Sequence, residues 1–280
     1  MNLLFCGDLV GRAGRDVVVE RLPGLRRDLA LDFVIANGEN AAGGFGITQK
    51  ICQELYQAGV DCVTTGNHVW DQKETMAFIA GDPKLLRPAN FPEGTPGKGA
   101  AQYQTQRGKK VVVINLMGRL FMDPLDDPFH QIEELLSTYR LGGNADAIVL
   151  DFHGEATSEK MAMGHLVDGR VSLTVGTHTH VPTADHQILP KGSAYQSDAG
   201  MCGDYDSVIG MEKTTPIARF TKKLPTERLS AATGPGTLCG IFVETDDRTG
   251  LAKRVEPVRV GGRLSQAVPQ VQAAAKLATA

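Results

Sequence analysis

The sequence predicts an α/β protein. Two observations predict it: short apolar, β-branched runs alternate with helix-like segments through the first half of the 280 residues, and a polar residue stands just beyond the end of run after run. Leu3 to Cys6 reads as the first strand, followed by a helix over Ala13 to Leu29 with a break expected at Pro23-Gly24. Leu31 to Ala36 is the second strand run. Thr48 is placed to cap a helix through Gln57 that stops at Gly59, before the β-branched run Val60 to Thr65. Residues 82–99, rich in proline and glycine, read as a loop over the surface and not as a domain linker. Val111 to Leu116, Ala147 to Phe152 and Ser172 to Val175 supply further strands, with helices expected over Pro128 to Arg140 and Ser158 to Leu166. Leu238 to Glu244 and Arg254 to Val260 form a later group of strands. One domain over residues 1–265 is expected, with 266–280 an Ala- and Gln-rich tail that is weakly helical at best and a candidate for disorder.

Composition narrows the function classes. The longest apolar runs, Lys110 to Leu116 and Asp146 to Phe152, fall far short of the roughly 20 residues that cross a bilayer. The start, Met1-Asn2-Leu3-Leu4-Phe5, has none of the basic, apolar and small-residue pattern of a secretion signal, so a cytoplasmic protein is expected. Five cysteines, Cys6, Cys52, Cys62, Cys202 and Cys239, are odd in number and never spaced as Cys-x-x-Cys, which suggests neither a disulfide framework nor a thiolate zinc site. A net charge of −3 argues against an extended nucleic-acid surface; the pairs Arg26-Arg27, Lys109-Lys110 and Lys222-Lys223 read as solvated faces. A homo-oligomer is left open.

The chemistry is carried by the residues just past the strand ends: Gly7-Asp8, Gly38-Glu39-Asn40, Gly66-Asn67-His68, Asp151-Phe152-His153 and Gly176-Thr177-His178-Thr179-His180. In open α/β sheets ligands gather outside the carboxyl ends of strands, so these five endings are expected to converge. Glycine before the polar group in four of the five permits a turn and close backbone approach. Carboxylate, amide oxygen and imidazole together suit manganese, iron or zinc better than calcium or magnesium. The donors over-supply one open metal site and suit two ions that share a bridging carboxylate.

The order of these motifs resembles the calcineurin-type metallophosphoesterases, and within them the YmdB-like family. Asn37-Gly38-Glu39-Asn40-Ala41, Thr65-Gly66-Asn67-His68-Val69-Trp70, Thr183-Ala184-Asp185 and Ser197-Asp198-Ala199-Gly200-Met201 extend the likeness over residues 1 to about 260. The resemblance implies a four-layer αββα sandwich, two mixed sheets with helices outside and the metals at one edge. It implies that Asp8 and His180 bind the first metal, that Glu39 bridges, and that Asn67, His153 and His178 bind the second. His68 is then free to act as general acid. The chain departs from the wider superfamily twice: the usual Asp-x-His opening is Asp8-Leu9-Val10, and the bridging aspartate is replaced by Glu39. Asn40 is the substitute ligand that the resemblance implies for the missing histidine.

Two divalent ions less two carboxylates leave a charge of about +2, enough to draw in a phosphodiester and to lower the pKa of a shared water from 15.7 toward roughly 7. The expected reaction is attack by a metal-bridging hydroxide, with a proton from His68 to the departing alkoxide. The resemblance implies 2′,3′-cyclic nucleoside monophosphates as substrates; no base-binding residues are assigned. Phosphomonoester or amide hydrolysis at the same metals is a second enzymatic reading, and a metal- or nucleotide-binding regulator with incidental hydrolysis is the non-enzymatic one. His130, His165 and His186 read as structural or exposed histidines. Asp151 is weighed evenly between a partner that fixes a histidine tautomer and an ordinary strand-end aspartate. Gly43-Gly44-Phe45-Gly46 reads as a loop at the rim of the site, and Asp198 and Asp204 either touch substrate or shape their loop.

Overall fold

The computed structural model describes residues 1–223 and 227–270. The elements in chain order are β1 (Asn2–Cys6), β2 (Asp8–Leu9), α1 (Gly11–Asp28), β3 (Phe33–Asn37), α2 (Gln49–Ala58), β4 (Cys62–Thr64), α3 (Thr75–Phe78) and a 3₁₀ turn at Ile79–Gly81. They continue with β5 (Ala100–Gln104), β6 (Lys110–Met117), α4 (Pro128–Thr138), β7 (Ala147–His153), α5 (Thr157–Leu166) and β8 (Leu173–Thr177). The chain then forms β9 (Gln187–Ile188), β10 (Ala194–Gln196), β11 (Met201–Asp204), α6 (Thr214–Lys222), β12 (Gly236–Thr245) and β13 (Ala252–Gly261).

Two mixed sheets result. The first runs β2-β11-β12-β1-β3-β4 with β13 on the free edge of β12, and the second runs β5-β6-β7-β8-β10-β9. β1, β3 and β4 are parallel, as are β6, β7 and β8, so their carboxyl ends lie at common edges. Strand alternation makes the layers. Leu3, Phe5, Phe33 and Ile35 turn inward and meet Val111, Val113, Val149, Leu173 and Val175 of the second sheet. Leu4, Cys6, Val34 and Ala36 turn outward beneath Val18, Leu22, Ile51 and Leu55 of α1 and α2. On the far side Ile114, Ile148 and Leu150 pack under Ile132 and Leu136 of α4 and Met163 of α5. This is the expected four-layer αββα sandwich, and burial on both faces explains why the central strands read as unbroken apolar runs.

Capping agrees with the sequence at α2: the Thr48 side chain accepts from the Ile51 N–H, and Gly59 ends the helix at φ 106°. The break expected at Pro23-Gly24 is absent; α1 continues through Pro23, because Leu22 and Leu25 on either side are both buried in the helix-sheet core. Of the expected tail, residues 271–280 lie outside the described residues, while Ala267 pairs with Arg259 in an antiparallel bridge. Short β2, β5, β9, β10 and β11 and helix α6 go beyond the elements expected from the sequence. Most are two to five residues long, too short to show a period. Among the described residues no helix is long and apolar enough to cross a membrane.

Candidate metal centre

Asp8 opens β2, two residues beyond β1, the turns after β3 and β4 deliver Glu39-Asn40 and Asn67-His68, β7 ends on His153, and the loop after β8 carries His178 and His180. Asp8, Glu39, His153 and His180 are buried. Donor atoms of Glu39, His153 and His178 lie within 4.8 Å of one another, and so do those of Asp8, Glu39 and His180. Glu39 is common to both groups. The two expected amide ligands complete them: Asn67 Oδ1 is 2.9 Å from His153 Nε2, and Asn40 Oδ1 is 3.2 Å from His180 Nε2. All seven expected ligating residues therefore converge, although they come from five separate stretches of chain. His130, His165 and His186 enter neither group.

The glycines ahead of these residues act through close approach. A Cβ on Gly7 would stand 1.8 Å from the Gly200 carbonyl oxygen, and one on Gly176 would stand 1.9 Å from that of Ser197. At Gly66 a Cβ would fall 2.2 Å from Glu39 Oε2 and 2.3 Å from His153 Nε2, in the middle of the cluster. His178 and His180 instead adopt positive φ, 97° and 66°, which costs a non-glycine residue of order 1–3 kcal/mol and is held by the surroundings. Asp198 provides that hold: its Oδ2 accepts from the Thr179 N–H and hydroxyl and from Lys160 Nζ, and its Oδ1 accepts from the Gly200 N–H. Asp198 thus shapes the loop. Asp204 does the same for its own turn, accepting from the Asp206 and Gly234 N–H groups.

Each histidine ring is oriented by a neighbour. His180 Nδ1 donates to the Ile209 carbonyl at 2.7 Å, and burial holds the ring's pKa down, so Nε2 presents a lone pair. That lone pair faces Asn40 Oδ1, whose amide is turned inward because Nδ2 donates to the Gly44 carbonyl. His178 Nε2 pairs with Glu155 Oε2 at 3.2 Å, and its Nδ1 lies 3.2 Å from His153 Nε2 within the cluster. Burial, then the neighbouring His153 charge, brings its pKa down to about 3. His153 Nδ1 meets Thr177 Oγ1 at 2.9 Å, and the Thr177 hydroxyl in turn donates to Asp151 Oδ1. Asp151 also accepts from Asn37 and Thr64, so it is the buried anchor of this relay and not an ordinary strand end.

The chemistry of the donor set fits a cation. Asp8 Oδ1 is buried without a hydrogen-bond partner, and His180 Nε2 and Asn40 Oδ1 set lone pair against lone pair. Desolvation acts against the Asp8 and Glu39 carboxylates alike. For Asp8 it prevails and raises the pKa; for Glu39 the adjacent histidines, His153 above all, outweigh it and bring the pKa down to about 2. His153 responds in kind: burial opposes its charge, but Glu39, Asp8 and Asp151 raise its pKa to about 9. An imidazolium proton thus stands where the acidic groups call for positive charge.

His68 lies beside these groups. Its backbone N–H donates to Glu39 Oε2, its Nδ1 is 2.8 Å from Asp71 Oδ2, and its ring meets the Phe45 ring edge-on at 5.2 Å. Among the described residues no hydrogen bond engages Nε2. Asp71, Glu155 and Thr177 are histidine partners that the sequence does not single out. The first two stand three and two residues beyond His68 and His153, a spacing that offers the only signal for them.

A four-layer αββα sandwich with acid, amide and imidazole groups at the carboxyl ends of its strands is the metallophosphoesterase architecture. Within that class, the chain belongs to the YmdB-like family: the family model described as YmdB-like protein matches residues 4–258. It is 51% identical over 260 residues to the 2′,3′-cyclic-nucleotide 2′-phosphodiesterase of Bacillus subtilis, covering 93% of this chain and 97% of that protein. Among solved structures it is similar to a hypothetical protein from Thermus thermophilus, with a TM-score of 0.87 and 42% identity over 94% of this chain and 100% of that one. A novel phosphatase from Mycoplasma pneumoniae superposes with a TM-score of 0.85 at 35% identity, covering 93% of each chain.

Proposed function

We propose that the protein is a two-metal phosphodiesterase that opens 2′,3′-cyclic nucleoside monophosphates. The observation that carries this reading is the sharing of Glu39 between the Asp8-His180 and His153-His178 groups. Asp8, Asn40 and His180 would hold one divalent ion and Asn67, His153 and His178 the other, with Glu39 between them. Imidazole-rich sites of this kind favour iron or manganese, with zinc able to substitute. Two such ions supply Lewis-acid activation of water and of the phosphoryl oxygens.

The chain's own residues do the rest. Glu39 and Asp8 bring two negative charges to the ions, so the loaded site keeps about two positive charges with which to attract a phosphodiester. Asp71 holds His68 Nδ1, leaving Nε2 to pass a proton to the departing ribose oxygen. Glu155, Thr177 and the Ile209 carbonyl keep the three ligating rings from turning. The 2′,3′-cyclic substrate is supported by the name of the Bacillus subtilis relative. Five buried free thiols suit a reducing compartment, and we place the reaction in the cytoplasm.

Metal analysis of the purified protein combined with assays on 2′,3′-cyclic, 3′,5′-cyclic and monophosphate nucleotides tests this. Two equivalents of iron or manganese and preference for the 2′,3′-cyclic ester are expected. Fewer than two metals in a fully active enzyme, or a preference for monoesters, would sink the reading.

A further inference from the structure

Beside His180 a groove of about 460 Å³ opens between α6 and the turn 208–211. Its lining is mostly apolar, with Ile209, Met211, Pro216, Phe220 and Leu229 beside the basic Arg219 and Lys223. Two contacts tie its wall to residues of the metal centre. The Ile209 carbonyl holds His180 Nδ1, and Met211 packs on Gly44, whose carbonyl turns the Asn40 amide inward.

Ile209 is the unusual member. Its φ of 47° is a genuine outlier for a β-branched side chain, and its side chain is 54% exposed. The strained backbone sends the carbonyl to His180 and the side chain into the groove. Phe220 faces it from α6 and is 76% exposed, an aromatic ring that the fold leaves uncovered. The groove's size suits a small planar ligand, whereas a protein partner needs a far broader patch, about 800 Å² per side.

The geometry points to this groove as the nucleobase subsite, with the base stacked on Phe220 against Ile209 and the ribose leading to the metals. The inference rests on the cyclic-nucleotide reading above and deepens it. A base has two apolar faces and polar edges; Phe220 and Ile209 would meet the faces, and the lining residue Lys223 would supply a donor to an edge carbonyl.

The test compares adenosine 2′,3′-cyclic phosphate with the base-free methyl riboside 2′,3′-cyclic phosphate on wild type, Phe220→Ala and Phe220→Trp. Loss of one stacking partner is expected to lower the ratio of kcat/KM for the two substrates about tenfold in Phe220→Ala, and Phe220→Trp is expected to restore it. Saturation-transfer NMR with adenosine gives a readout independent of turnover: transfer to the adenine ring protons is expected in wild type and lost in Phe220→Ala. An unchanged ratio with retained transfer overturns the subsite. So does a change in oligomeric state with the ratio intact, which would make the groove a contact between copies. If wild type hydrolyses neither ester yet still shows adenine transfer, the reaction proposed above fails while the base site stands.

Discussion

His153, His178 and His180 each give one ring nitrogen to a fixed neighbour and turn the other toward the cluster, His153 to Asn67, His178 to His153 and His180 to Asn40. Glu155 is a half-exposed side chain, so its replacement tests orientation without disturbing the core. Glu155→Gln is expected to weaken metal binding at the His153-His178 position about 10- to 100-fold and to leave folding unchanged, as titration of the metal-free protein would measure. His68 makes the opposite case, because only its backbone N–H touches Glu39. His68→Ala is expected to lower kcat by about 10²–10⁴ on substrates with a poor leaving group while metal content stays at the wild-type value. Full turnover of such a substrate by the variant would refute the acid role.

The functional loops are only as good as the elements behind them. α5 contributes Lys160, whose ammonium reaches both the Thr177 carbonyl and Asp198, and Asp198 in turn holds Thr179 between the two strained histidines. Both partners are buried, so Lys160→Ala would leave a carboxylate without its counter-charge. A loss of about 3–5 kcal/mol is expected in urea unfolding, together with weaker metal binding as the loop relaxes. α2 carries its own smaller test. Thr48→Ala removes the bond to the Ile51 N–H and is expected to cost about 1 kcal/mol with activity unchanged.

Taken as one molecule, the protein couples metal loading to protonation. In the metal-free state Glu39 is already ionised at neutral pH, with its pKa about 2. His178, with its pKa about 3, and His180, held below its usual value, are already neutral there. His153, raised to about 9, still holds a proton that an incoming cation must displace. Metal affinity is therefore expected to rise with pH up to about 9, by about tenfold per unit for one displaced proton. Calorimetry in buffers of different ionisation enthalpy would read that proton release, and affinity that stays flat between pH 6 and 8 would contradict it. The same linkage has a stability sign. A raised histidine pKa favours the metal-free fold fully below pH 6.5, the unfolded value, and the benefit is lost as pH climbs through about 9.

Legibility in the sequence depended on length and repetition. The long buried strands Lys110–Met117 and Ala147–His153 announce themselves as apolar runs, and the polar residue at each strand end marks the edge where chemistry collects. Those endings were enough to assemble the seven candidate ligands and His68. The two-residue strands and the unbroken passage of α1 through Pro23 were not legible, because pairing and burial made them, and neither leaves a period in the chain. Asp151, Asp198 and Glu155 depended in the same way on neighbours distant in sequence: an aspartate reads alike whether it anchors a relay or caps a turn. The sequence carries the donor types and the strand ends that collect them. Only the packed structure decides which lone pairs face one another, because tautomer, burial and local charge arise from groups up to 170 residues apart.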